Sequence, residues 1–457
     1  MGSLLVRNAN VLVTMDGERR ELPGGGLYSE DGWIQIVGTS DELPPDADEV
    51  LDLRDHVVLP GLINTHHHLY QNLTRAVPDA QNVSLFGWLR VLYPIWARLT
   101  PEAVRVSTQV GLVELALSGC TTAFDHQYLF PNGSSLDDQV EAAAEVGLRF
   151  HASRGSMSLG ESRGGLPPDS VVEDENNILE DTSRVVGLHH DPSPGSMSQV
   201  VVAPCSPFSV TTELMRRAAE LARELGVRLH THLAETADEE AFCLEHFGLR
   251  PLDYALSIDW TGEDVWFAHG VHLDAADVKK MASTGTGVAH CPTSNMRLGS
   301  GTAPLVAFLR EGVPVGIGVD GSASNDAGNL LAEARQALLV ARLAEAPVPG
   351  DRQEPLLSAR SVLEVATRGG AAVLGRKDVG SIEVGRACDF VAISLDRVEY
   401  AGTLHDPVAA LLLAAPVVVD LNYVHGRAVV RGGRVVTIDV PSLLHRHRSL
   451  ARELVAG

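Results

Sequence analysis

A chain of 457 residues exceeds what one compact core usually spans, so it implies a large domain with a smaller companion. Its 36 basic and 59 acidic residues leave a formal net charge of −23, which disfavours nucleic acid and anionic membranes and suits neutral or cationic small ligands. No run of about 18 apolar residues occurs, which argues against a helical membrane span.

The opening stretch, MGSLLVRNANVLVTMDGERR, lacks a basic leader and a long apolar core, and reads as a strand and turn rather than a secretory signal. Residues 1–58 carry short β-like segments between glycine-rich and charged turns. Over 59–379 short apolar runs alternate with helical patterns, and Thr100 and Pro101 suit the N-cap and first position of one helix. Counting the run that ends at His68, eight strands are expected at 58–68, 120–126, 149–155, 199–205, 227–235, 265–270, 286–291 and 314–320. Apolar strands alternating with helices pair in parallel, and eight such units make an α/β protein of the (β/α)8 TIM-barrel type. Residues 380–440 return to β texture, and 441–457 form a terminal helix. Each flank alone has too few strands for stability, so the two ends are expected to join as a small β-sandwich domain. Five scattered cysteines (Cys120, Cys205, Cys243, Cys291, Cys388) without a CxxC point to reduced thiols and a cytoplasmic setting.

Chemistry gathers at the strand ends. In INTHHHLY the two-residue strand period sends His66 and His68 to one face and His67 to the other. At the carboxyl end of a barrel strand that face is the active-site mouth, where two imidazoles make half of a zinc or iron site. Alone, the pair could equally be surface or capping histidines. LHTHLAE then ends another strand with His230, His232 and Glu235, WFAHGVHL supplies His269, and GIGVDGSASND supplies Asp320. Four hits, each at an expected strand end and in barrel order, outweigh the reading of each as an ordinary turn. His67 and His230 are expected to pack or bond to backbone, and His189, His190, His445 and His447 to be solvated.

This pattern resembles the amidohydrolase superfamily, with HxH after the first strand, histidines after the fifth and sixth, and aspartate after the eighth. The resemblance implies metal ligands His66, His68, His232 and Asp320, and catalytic roles for Glu235, His269 and Asp320. It leaves open whether His269 binds the metal or only orients the attacking hydroxide. VVVAPCSPFS lacks the lysine that bridges two metals in other subgroups, so one divalent ion is expected, zinc first and iron second. Stretches such as NTHHHLYQNLTRA, SGCTTAFDHQYLFP, RLHTHLAET and HCPTSNMRLGSG resemble the branch that deaminates 8-oxoguanine, which implies metal-hydroxide attack at C2 to give urate and ammonia. Triazine hydrolases share the skeleton and are the alternative.

In that chemistry Asp320 takes the water proton and passes it to the leaving amine, while Glu235 protonates a ring nitrogen. Ring contacts are expected from Gln71, Trp88, Arg154, Cys205, Ser206, His290 and Asn325. Against them stand core packing for Trp88 and Cys205, an ion pair for Arg154 and a helix cap for Asn325. The partner is a small purine-like molecule, with a homo-oligomer expected at family level. A metal-free scaffold relative would have lost ligands that this sequence keeps.

Overall fold

Strands buried on both faces belong at the centre of a layered α/β fold, and here they close on themselves. The computed structural model describes residues 2–344 and 356–457. Its barrel strands are β1 (Leu62–Asn64), β2 (Cys120–Asp125), β3 (Arg149–Ser156), β4 (Ser198–Pro204), β5 (Arg228–Leu233), β6 (Val265–His269), β7 (Gly287–His290) and β8 (Val315–Ile317). They pair in parallel in that order, and β8 returns to β1 through Ile317 and Asn64. Every residue of β2 and β3 is buried. Helices fill the crossovers. One of them, Pro101–Leu117, starts as expected, with the Thr100 side chain accepting from the Ala103 amide.

The chain ends build two further sheets. Trp33–Thr39, Gly25–Glu30, Ser3–Arg7 and Glu49–Asp52 form a four-stranded one. In a seven-stranded one, His56–Pro60 pairs antiparallel with Phe390–Ser394 and so joins the two flanks. Leu4, Leu27, Val58, Phe390 and Tyr423 share the core between them.

The expected first strand, 58–68, is corrected: the chain changes sheets within it. His56–Pro60 belongs to the terminal sheet and only Leu62–Asn64 to the barrel. Gly61 marks the crossing, where an added Cβ would lie 2.1 Å from the Thr121 side chain. Periodicity cannot show such a change, because both halves are apolar and extended. The histidines expected in solvent are also revised. His189 meets Asp137 at 2.7 Å, His190 accepts from the Val200 amide, and His447 meets Asn72 Oδ1 at 2.7 Å; His445 is exposed. All five cysteines are buried and unpaired. Among the described residues no helix is long and apolar enough to cross a membrane.

A buried ion pair ties barrel to terminal sheet. Arg149 on β3 grips Asp389 through Nε at 2.6 Å and a second nitrogen at 3.0 Å, and also donates to the Ser196 carbonyl. Removing one partner strands the other charge in a dry environment. Asp389→Ala is therefore expected to cost about 3–5 kcal/mol in chemical unfolding, and exchanging both partners for apolar residues should cost less.

Candidate active site

The carboxyl ends of the strands converge on one polar cluster. Past Asn64 the first segment keeps its neighbours: the Asp320 amide donates to the His66 carbonyl and the His126 amide to the His67 carbonyl. His66 and His68 thereby share the interior. His67 is turned aside, its Nδ1 accepting from the His68 amide.

Three imidazoles are oriented from behind. Nδ1 of His68 lies 2.6 Å from the His126 carbonyl and Nδ1 of His232 lies 2.6 Å from the Cys205 carbonyl. A carbonyl only accepts, so both rings carry their proton on Nδ1 and leave Nε2 bare. His66 reaches the same state through a relay. Its Nδ1 meets His230 Nε2 at 2.9 Å, and His230 Nδ1 in turn meets the Trp266 carbonyl at 2.9 Å. His230, expected to bond to backbone, thus also anchors a ring.

The bare nitrogens converge. Nε2 of His66 and of His68 each lie 3.3 Å from Asp320 Oδ1, and Nε2 of His68 lies 3.1 Å from Nε2 of His232. His66 Nε2 is buried without a hydrogen-bond donor. Three neutral imidazole nitrogens and one carboxylate oxygen, each held by an outer partner, are a donor set that fits a divalent cation. Burial favours this state by resisting charge, lowering the pKa of His66 to about 4 and that of His232 well below the usual value.

The carboxylates are split. Burial, reinforced by the charge of Asp320, pushes Glu235 well above the usual range. Burial also pulls Asp320 upward, but the polar groups around it outweigh that and hold its carboxyl well below the usual range. Asp320 Oδ2 accepts from Ser294 Oγ at 2.5 Å and Ser324 Oγ at 3.1 Å. Glu239 accepts from the Ala234 and Glu235 amides at 2.9 and 2.8 Å, which clamps the turn that carries Glu235. His269 lies between, its Nε2 3.6 Å from Glu235 Oε2 and 4.0 Å from Asp320 Oδ2. Ala234, His269 and Asp320 all have positive φ, at 55°, 74° and 63°. Such strained non-glycine backbone gathers at functional sites and costs of order 1–3 kcal/mol each.

A cleft opens on this cluster, walled by Leu85, Leu89, Phe208 and Leu298, with Trp88, Tyr93, Tyr128, Cys205 and Ser324. Gln71 also lines it, and both polar atoms of its buried amide lack a partner. A Cβ at position 321 would lie 1.9 Å from that amide, so Gly321 leaves room for it. Trp88 is fixed by donating to the Ala323 carbonyl, and burial pushes the Cys205 thiol up to about 12.

Other expected ring contacts fall elsewhere. Arg154 is held by Glu173 and Asp181 and lies over Phe130, so its guanidinium is already engaged. Asn325 donates to the Val319 carbonyl and to Glu333, anchoring its own loop. Ser206 bonds Ser209. His290 is buried outside the cleft, whose wall is reached instead by Leu298 beyond the next short helix. Sequence reasoning missed Tyr93, Tyr128, His126, Glu239, Ser294 and Asn295. Only His126 and Tyr128 had a signal, standing one and three residues beyond β2.

Residues 57–436 match the amidohydrolase family. The chain is 47% identical to 8-oxoguanine deaminase from Pseudomonas aeruginosa, with all of both chains covered. It is 39% identical to hydroxydechloroatrazine ethylaminohydrolase from Pseudomonas sp. strain ADP, covering 100% of this chain and 97% of that protein. Among solved structures, atrazine chlorohydrolase from Arthrobacter aurescens TC1 complexed with zinc superposes with a TM-score of 0.93 at 33% identity, over 98% of this chain and all of that one.

Because the donor set is preformed, His232→Ala should lower bound divalent metal, measured by elemental analysis after dialysis, by at least about tenfold. His290→Ala should leave metal content unchanged.

Proposed function

The chain belongs to the amidohydrolase family, and from that membership and the site's geometry we propose that it deaminates an aminopurine hydrolytically, converting 8-oxoguanine to urate and ammonia. The observation that carries this reading is the buried carboxyl pair at the floor of a cleft with an unpartnered amide at Gln71: burial raises Glu235 well above the usual range, and Asp320, which accepts from Ser294 and Ser324, is held well below it. Two carboxyls pushed apart in this way divide into an acid and a base.

His66, His68, His232 and Asp320 would hold one zinc ion, as their converging donor atoms and the zinc-bound atrazine chlorohydrolase support. Bound there, it would supply Lewis acidity, which lowers the pKa of the attacking water towards neutrality. Glu235 donates its proton to the ring nitrogen beside C2, which makes that carbon electrophilic. Asp320 takes the proton of the attacking water and returns it to the amine as the C–N bond breaks and ammonia leaves. His269 faces the same atoms and steadies the developing charge. Gln71 bonds the ring edge, Trp88 offers a face to stack on, and the neutral Cys205 thiol completes the wall.

A triazine substrate is the second reading, favoured by the 39% identical ethylaminohydrolase and by a cleft whose apolar walls accept any flat heterocycle. Rates on 8-oxoguanine, guanine, isoguanine and hydroxytriazines, measured side by side, decide between them. Release of ammonia with urate supports the purine; turnover of triazines alone overturns it.

Glu235→Gln should keep its metal yet lose about 10²- to 10⁴-fold in deamination. Because the proposed acid role needs Glu235 protonated, kcat/KM should fall as pH rises through its raised pKa. The glutamine variant should lack this limb.

A further inference from the structure

His269 is held differently from the three rings described above. Behind it stands Asn295, in the short helix Pro292–Arg297, with its amide Nδ2 3.0 Å from His269 Nδ1. Both side chains are buried. A neutral imidazole carries one proton, and an amide N–H directed at Nδ1 needs the lone pair there, which places the proton on Nε2. At the other end of the ring Nε2 faces Glu235 Oε2 at 3.6 Å and Asp320 Oδ2 at 4.0 Å, farther than the 3.3 Å at which the Nε2 atoms of His66 and His68 meet Asp320 Oδ1.

His68 and His232 have carbonyls behind Nδ1, and His66 has the accepting Nε2 of His230. Those partners accept and so bare Nε2; Asn295 donates and so protonates it. The choice between ligand and donor is thus made by what stands behind each ring.

We propose that Asn295 is a positioning residue that holds His269 in the Nε2–H form, which keeps it out of the metal's ligand set and makes it the hydrogen-bond donor to the attacking water. The adjacent Ser294 holds Asp320 Oδ2 at 2.5 Å, so one turn of helix fixes two of the groups that meet the substrate. The catalytic part of the proposal rests on the deaminase reading; the tautomer does not.

The test is two-bond 15N–1H correlation spectroscopy on the full-length protein with 15N-labelled histidine rings, metal-free and zinc-loaded. Signals are assigned by their loss in His269→Gln. Wild-type His269 should show a protonated Nε2 and a bare Nδ1, the reverse of His68 and His232. Asn295→Asp sets a carboxylate against Nδ1 and should move the proton there. Zinc content should hold at one per chain, while turnover of 8-oxoguanine falls about 100-fold, the scale of losing one preorganised donor. A wild-type His269 protonated on Nδ1 overturns the proposal, and so does an Asn295→Asp variant whose His269 pattern is unchanged. The wild-type spectrum decides the matter even if that variant does not fold. Absence of 8-oxoguanine turnover by the wild-type enzyme would refute the substrate assignment and leave the tautomer result standing.

Discussion

The site depends on keeping imidazoles neutral in a place without water. His66, His68, His232 and His269 are buried at the strand ends, and desolvation holds His66, His232 and His269 below the ordinary imidazole pKa. Neutral rings must choose which nitrogen carries the proton, and that choice is made by backbone carbonyls, another histidine and an amide. The barrel matters because the ends of β2, β4 and β5 and the short helix after β7 bring these partners within hydrogen-bond distance of the right atoms. Without burial the same residues would be a set of titrating side chains with no preferred direction.

The same dryness divides the carboxylates. Burial and the charge of Asp320 raise Glu235 well above the usual carboxylate range, while Asp320, which accepts from two serine hydroxyls, is held well below it. Opposite environments a few ångströms apart give one residue an available proton and the other an available lone pair. The turn that carries Glu235 is held by a third buried carboxylate, Glu239, which uses both oxygens on backbone amides.

Much of this was legible in the sequence. Apolar runs alternating with helical patterns gave eight strands, and polar residues at their ends gave His66, His68, His232, Glu235, His269 and Asp320, which the fold gathers into one cluster. The remainder was not legible, for physical reasons. The change of sheet at Gly61 lies inside one continuous apolar run. Arg154, Asn325 and His290 stand at strand ends much as the clustered residues do, but the neighbours that engage or bury them come from elsewhere in the chain. Ser294 and Asn295 act from behind, and a polar dipeptide opening a short helix looks the same in sequence whether or not it faces a catalytic ring. Tyr93 enters the cleft from a helix between β1 and β2, where a tyrosine among apolar residues reads as core.

The left-handed backbone at Ala234, His269 and Asp320 has a consequence for how such an enzyme can be improved. Three strand ends store conformational energy that glycine would release, so a screen for heat resistance alone would draw substitutions toward these positions. Those gains would come from the geometry that aims Glu235, His269 and Asp320, and under the proposed function would trade turnover for melting temperature. Robust variants are better sought in the terminal sheets and outer helices, where stability can rise without slackening the strand ends.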